Sequence, residues 1–286
     1  DSSTDEAKSE AERLVVTRAS SQLDEEVSRE WDRATEKFHA KVTGPLRELG
    51  LAPEAIDMET TQERLIARYR LAGREHLGAF TPRPQAPIDS LLSVQVHEST
   101  LNNTVLCLDL SGRSHDLHEL CREVAARFGR SDIQIRDDLP DGVTIRFADR
   151  DPFSLRCENG RIHVSIRIAE LSDGRRRRWR NFEAQASYVP KIDGSQARLE
   201  REGVVRLIAR RKLSLGDQIA LRGVFCSILI EHPDVDLLAN LLSRDTRFSG
   251  LVLTQFVIRD GWIGLAVGPS RRRVNRVASE EPRHRG

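Results

Sequence analysis

The chain has 286 residues, 38% of them hydrophobic and 31% charged, which is material for one large domain or two ordinary ones and excludes a disordered chain. Its 45 basic and 44 acidic side chains nearly cancel, so net charge does not steer the whole molecule toward nucleic acid or anionic lipid. No apolar run approaches the roughly 18 residues of a membrane-spanning helix, and no transmembrane segment is expected. The chain opens on Asp1 and its one methionine is Met58, so it is expected to begin after processing or to be a piece of something longer.

Residues Asp5 to Thr43 read as one long helix. Leu23, Val27, Trp31, Ala34, Phe38 and Val42 recur at spacings of 4, 4, 3, 4 and 4, an 11-residue repeat that keeps an apolar stripe on one side of a straight or weakly right-handed helix. The rod is about 58 Å long at 1.5 Å per residue, and Gly44-Pro45 ends it. Its stripe is expected to meet the chain's own sheet, a partner helix or an upstream domain. Residues 1–50 are assigned to this amphipathic helix and 51–88 to a strand followed by a connector. In the strand, Arg64 to Leu71, the residues Leu65, Ala67, Tyr69 and Leu71 share one face and the arginines the other. Thr81-Pro82-Arg83-Pro84-Gln85-Ala86-Pro87 reads as a stiff extended connector and as the internal boundary.

Residues 89–269 are expected to form an antiparallel α+β domain. A strand over Leu92–Val96 leads into a helix over Glu98–Leu108. A second helix runs from Asp116, a plausible N-cap, to Phe128. Val143, Ile145 and Phe147 mark a strand. Phe153–Cys157 and Arg161–Ala169 form a hairpin closed by Asn159-Gly160. Phe182 to Tyr188 is a strand, and Gln196–Leu199 and Val204–Ala209 are expected to pair through Glu202-Gly203. Leu215 to Ile230 is apolar on most sides and reads as a deeply buried helix. A short helix over Val235–Leu242 and two strands meeting at Asp260-Gly261 follow. Residues 270–286 hold six arginines and two glutamates and read as a basic, disordered tail. The fold class is α+β: a curved antiparallel sheet packed on helices, preceded by a long N-terminal helix.

Motifs that would carry chemistry are few. No nucleotide-binding, metalloprotease or nucleophile-elbow motif occurs, no cofactor is expected, and no nucleophile, base and oxyanion donor can be assembled, so a non-enzymatic protein is expected. Cys107, His115, His118 and Cys121 fall within 15 residues, but C-x7-H-x2-H-x2-C is not a structural zinc spacing. A nucleophilic Ser99 with His97 as base would require side chains on opposite strand faces to converge. Arg175, Arg176, Arg177, Arg178, Trp179 and Arg180 are the polyanion-contact candidates, within residues 171–212 that hold 12 bases against 5 acids. A solvated sheet edge guarded by charge is the competing reading, and nucleic acid is the less favoured one.

The strand-to-helix opening with Glu98-Ser99-Thr100-Leu101-Asn102, and the closing hairpin Val257-Ile258-Arg259-Asp260-Gly261-Trp262-Ile263-Gly264-Leu265, resemble the tubular lipid-binding (TULIP) superfamily, in particular bacterial lipoproteins of the YceB type. The resemblance covers residues 89–269 and transfers no catalytic residues. It implies a sheet wrapped around the helix Leu215–Ile230, with an apolar groove for an acyl chain. Ile219, Val224, Phe225, Ile228, Val164 and Ile166 are the groove candidates. The expected function is then a non-enzymatic binding domain for a lipid or other hydrophobic ligand in a larger bacterial protein, with an extracytoplasmic location favoured. A scaffold or protein-interaction domain with a filled core is the alternative, and nucleic-acid binding through the arginine-rich segment the third.

Overall fold

Residues from Ser2 to Phe38 contain neither glycine nor proline, and in the computed structural model they form one helix, α1 (Ser2–Phe38). The structure describes residues 2–40, 44, 47, 53–61, 65–71, 78–127, 141–174, 177–193, 196–233 and 250–269. The chain divides into two units, Asp1–His76 with Arg122–Ile133, and Leu77–Cys121 with Gln134–Gly286.

In the first unit α1 leaves Leu23 and Val27, the first two members of its stripe, more than half exposed. Strands β1 (Pro53–Thr60) and β2 (Leu65–Leu71) form an antiparallel hairpin. The sequence reading found β2 but not β1, whose residues do not alternate. The expected faces of β2 hold for exposed Arg70 and half-buried Leu71 but not for the rest. Leu65 and Tyr69 are exposed, while Ile66 and Arg68 are half-buried. Arg68 pairs across the hairpin with Asp57 and, at 3.2 Å, with Glu59.

The second unit is built around one hairpin, β7 (Arg161–Ser172) and the 16-residue β8 (Arg178–Asp193). Along the free side of β7 run two successive strands, β5 (Thr144–Phe147) and β6 (Phe153–Glu158). Along the free side of β8 run β9 (Gln196–Arg201) and β10 (Arg206–Ala209). The expected β9–β10 hairpin is therefore incorrect. Both strands pair with β8 and travel in the same direction, as one strand interrupted between Glu202 and Val205, where Gly203 takes φ 76°. Two turns close as expected, Asn159-Gly160 with φ of 51° and 75° and Asp260-Gly261 with φ of 51° and 87°, left-handed pairs that match strand twist.

The period-2 pattern of these strands is realised as one buried face. Ile162, Val164, Ile166 and Ile168 of β7 lie against Phe182, Ala184, Ala186 and Tyr188 of β8, all buried. Short β4 (Ser114–Asp116) extends the β5 edge.

A second sheet, in the order β11 (Leu251–Arg259), β12 (Trp262–Pro269) and β3 (Leu92–His97), places β11 over the large sheet at β6, β7, β8 and β9. Leu253, Leu265 and Val267 centre this contact, with Ala197 of β9 packed against them. The other face of β12 reads Trp262, Gly264, Ala266, Gly268, and the proline-rich segment lies across it. A Cβ on Gly264 would sit 3.4 Å from Pro84, and one on Gly268 would sit 3.0 Å from the Asp89 carbonyl oxygen. Small residues there leave room for the connector, which belongs to the second unit.

Three more helices complete the described chain. Helix α2 (Glu98–Leu106) follows β3 directly. Helix α3 (Leu117–Arg127) starts where expected, with Asp116 Oδ1 accepting the His118 and Glu119 amides at 2.9 and 3.1 Å. Helix α4 (Leu215–Ile228) starts at the Ser214 cap. The expected helix over 235–242 and the tail from 270 lie outside the described residues.

Candidate functional site

The helix expected to line the groove packs against the sheet on one of its faces. Leu221, Val224 and Phe225 of α4 are buried, and Phe225 meets Phe182 of β8 edge to face at 5.9 Å between centroids. Val164 and Ile166 are buried on β7, and Ile228 is half-buried. Ile219 does not join them: it is 63% exposed and Leu215 is 72% exposed. The expectation of a deeply buried α4 is corrected on this side. A helix apolar on most sides carries only a weak periodic signal for the face that turns inward.

The arginine-rich segment separates in the same way. Arg175 and Arg176 lie outside the described residues. Arg177 leads into β8, and Arg178 and Arg180 stand on its outer face, both facing Glu170 across the strand pair at 3.8 and 2.7 Å. The hydrogen bond from Arg180, helped by both guanidinium charges, holds the Glu170 carboxyl below its usual range. Trp179 points the other way. It is buried, and donates its indole N–H to Asp217 Oδ1 at 2.9 Å. The tryptophan proposed to stack on a polyanion instead fastens α4 to the sheet. Hydrogen bonds from Ser214 and then Trp179 lower the Asp217 pKa.

The polar sequence His97-Glu98-Ser99 and Asn102 has a definite geometry. The outward-facing backbone groups of β6 are met from the side by α2. Asn102 donates to the Leu155 carbonyl and accepts from the Leu155 N–H, both at 2.8 Å. Glu98 Oε2 accepts the Cys157 N–H at 2.5 Å. The Gly261 N–H, at the β11–β12 turn, donates to the Cys157 carbonyl at 2.8 Å, and the Glu98 N–H donates to the Gly261 carbonyl at 2.7 Å. An unpaired strand edge is a template for further strands. Here α2 and the hairpin turn close it.

Beside this junction His97 is buried, with Trp262 edge-on at 5.0 Å and Phe80 at 6.3 Å. The Ser99 backbone N–H donates to Nδ1 at 3.1 Å, and Ser99 Oγ lies 2.9 Å from the same nitrogen. The two side chains therefore do converge, because the chain turns from strand to helix between them. The His97 Nδ1 lone pair accepts the Ser99 N–H and so caps α2. Nε2 faces Thr81 Oγ1 at 3.4 Å, and that hydroxyl donates to the Asp260 carbonyl at 2.6 Å. Burial lowers the His97 pKa, and the Glu98 charge only partly opposes it.

A cavity of about 560 Å³ opens at the C-terminal end of α4 and is lined by Arg201, Cys226, Ser227, Glu231 and His232 among others. Arg201 stands on the inner face of β9 with its side chain 5% exposed. It donates to the Leu229 carbonyl and faces Glu231 at 3.3 Å, placing a cation at the negative end of the helix. Cys107, His115, His118 and Cys121 are spread over the end of α2, β4 and α3, and among the described residues no group of three or more such ligands could hold a metal ion. The junction built on Glu98 and Asn102 was singled out in the sequence for its polar residues, but their partners stand on β6, more than fifty residues away. No protein-family model matches this chain, and no curated protein matches it.

Proposed function

We propose that the second unit forms a non-catalytic interaction module, with a core filled by its own side chains, that works through its surface. The observation that carries this reading is the burial of Leu221, Val224 and Phe225 between α4 and the sheet, with Phe182 against Phe225 at 5.9 Å. An acyl chain in the groove expected from the TULIP resemblance would occupy the volume these side chains take. Native mass spectrometry of the purified chain, followed by solvent extraction, tests it. The expected result is the mass of the bare polypeptide. A stoichiometric acyl lipid in the extract would overturn the proposal and restore the carrier reading.

Val224→Trp separates the two readings independently. In a filled core it overpacks and costs about 1–3 kcal/mol of stability. In an open groove it would leave the denaturation midpoint in place and abolish uptake of a fluorescent fatty acid.

A further inference from the structure

We propose that the outward face of the first two turns of α4, with the basic segment leading into it, docks on an anionic lipid bilayer. The inference rests on the reading of this unit as a surface-acting module and names its partner.

At 3.6 residues per turn, Leu215, Ile219 and Arg222 fall within about 60° of one another around the axis of α4, on the side away from Leu221 and Val224. The two aliphatic side chains, one turn apart, are both exposed. Arg222 Nε is shielded from solvent and has no hydrogen-bond partner among the described residues. Ahead of the helix Arg210, Arg211 and Lys212 are exposed in succession. Gln218 donates to the Leu213 carbonyl at 3.2 Å and so ties that segment to the helix. Covalent geometry keeps the Lys212 and Leu215 Cα atoms within about 11 Å of each other. Single exposed aliphatic residues are ordinary, but a pair framed by cations on both sides marks a contact surface.

Charge says what covers it. From Gly203 to Ile230 the chain carries five basic residues and one acid, Asp217. That carboxylate is already engaged by Trp179 and Ser214. Among the described residues no carboxylate forms an ion pair with Arg210, Arg211, Lys212 or Arg222. A basic segment running into a helix with aliphatic residues on its outer face is the combination that binds an anionic membrane surface. Leu215 and Ile219 enter the headgroup boundary and the cations remain among the phosphates. A nucleic acid would reward the cations but not Leu215 and Ile219, which offer neither a stacking face nor a hydrogen bond. A stable protein interface covers about 800 Å² a side around a desolvated centre, which two aliphatic side chains cannot fill.

The test is co-sedimentation of the full chain with vesicles of phosphatidylcholine alone and of phosphatidylcholine mixed with phosphatidylglycerol, at low and high salt. Binding to the mixed vesicles that weakens with salt is expected. Changing Arg210, Arg211 and Lys212 together to Gln should lower the partition constant about a hundredfold. Changing Leu215 and Ile219 together to Ser should lower it about tenfold or more. All five side chains are exposed, and thermal melting verifies that both variants fold. No binding to the mixed vesicles at low salt would overturn the proposal. So would full binding by the Leu215→Ser, Ile219→Ser variant, and duplex DNA displacing the vesicles from it would then assign the cations to a nucleic acid. A stoichiometric acyl lipid in the native mass spectrum would instead sink the filled-core reading, whatever the vesicles do.

Discussion

Asn102 stands in for a missing strand. Its carboxamide gives the Leu155 carbonyl a hydrogen and takes one from the Leu155 N–H, both at 2.8 Å, as a neighbouring β-residue would. Four residues earlier on the same helix face, Glu98 meets the Cys157 N–H. The helical advance of about 6 Å over four residues matches the advance of about 6.6 Å over two residues of β6.

Replacing Asn102 with Ala leaves a donor and an acceptor of β6 unpaired and should cost about 2 kcal/mol in urea denaturation. Asn102→Asp keeps the acceptor but turns a carboxylate toward the Leu155 carbonyl, and should be no better than Ala. Both variants should aggregate sooner than the wild type, because an opened edge invites pairing. A wild-type denaturation midpoint for Asn102→Ala would show that water serves the edge equally well.

The His97 cap makes stability depend on pH. Burial lowers its pKa below the ordinary 6.5, so the unfolded chain binds the extra proton first. The stabilising contribution is full above pH 6.5 and is lost as pH falls through the window between the unfolded and folded values. The slope of stability there can reach about 1.4 kcal/mol per pH unit for one proton. Asn at position 97 retains a capping oxygen without titrating. Melting curves across this window should therefore show a shallower slope for His97→Asn than for the wild type.

Two turn glycines separate backbone conformation from space. Gly160 takes φ 75° with nothing within 4 Å of where a Cβ would stand, whereas at Gly261, φ 87°, a Cβ would lie 2.5 Å from His97 Nε2. Gly160→Ala should cost about 1–2 kcal/mol for the left-handed conformation alone. Gly261→Ala should cost distinctly more, because the histidine must move away from Thr81. Equal losses in chemical denaturation would show that His97 is free to shift.

The cysteines should label in a set order. Cys226 is exposed at the mouth of the cavity beside Arg201, while Cys157 is buried and its thiol is pushed up to about 12 by burial and then by the Glu98 charge. A maleimide should modify Cys226 in the native protein and Cys157 only after unfolding. Mass mapping of the labelled peptides reads the order. Native labelling of Cys157 would mean that the Glu98 junction opens readily.

What the sequence determined by itself was local. Alternating Ile162, Val164, Ile166 and Ile168, the left-handed turns at Asn159-Gly160 and Asp260-Gly261, and the Asp116 cap each depend on residues within one turn or one pleat. Tertiary structure decided the rest. Glu202-Gly203 has the composition of a hairpin turn, yet β9 and β10 both lie on β8, because a 16-residue strand offers an edge long enough for two partners in succession. On β2 the burial of Arg68 goes with its pairing to Asp57 and Glu59, carboxylates on a strand whose pattern was not legible. Apolar on most sides, α4 could have turned any of several faces to the sheet. Packing against Phe182 and the Trp179–Asp217 bond chose the one carrying Leu221, Val224 and Phe225. Asn102 was visible from the start as a polar residue at a helix start. That it closes a strand edge depends on Leu155, 53 positions away, and on a backbone pairing requirement that no side-chain pattern records.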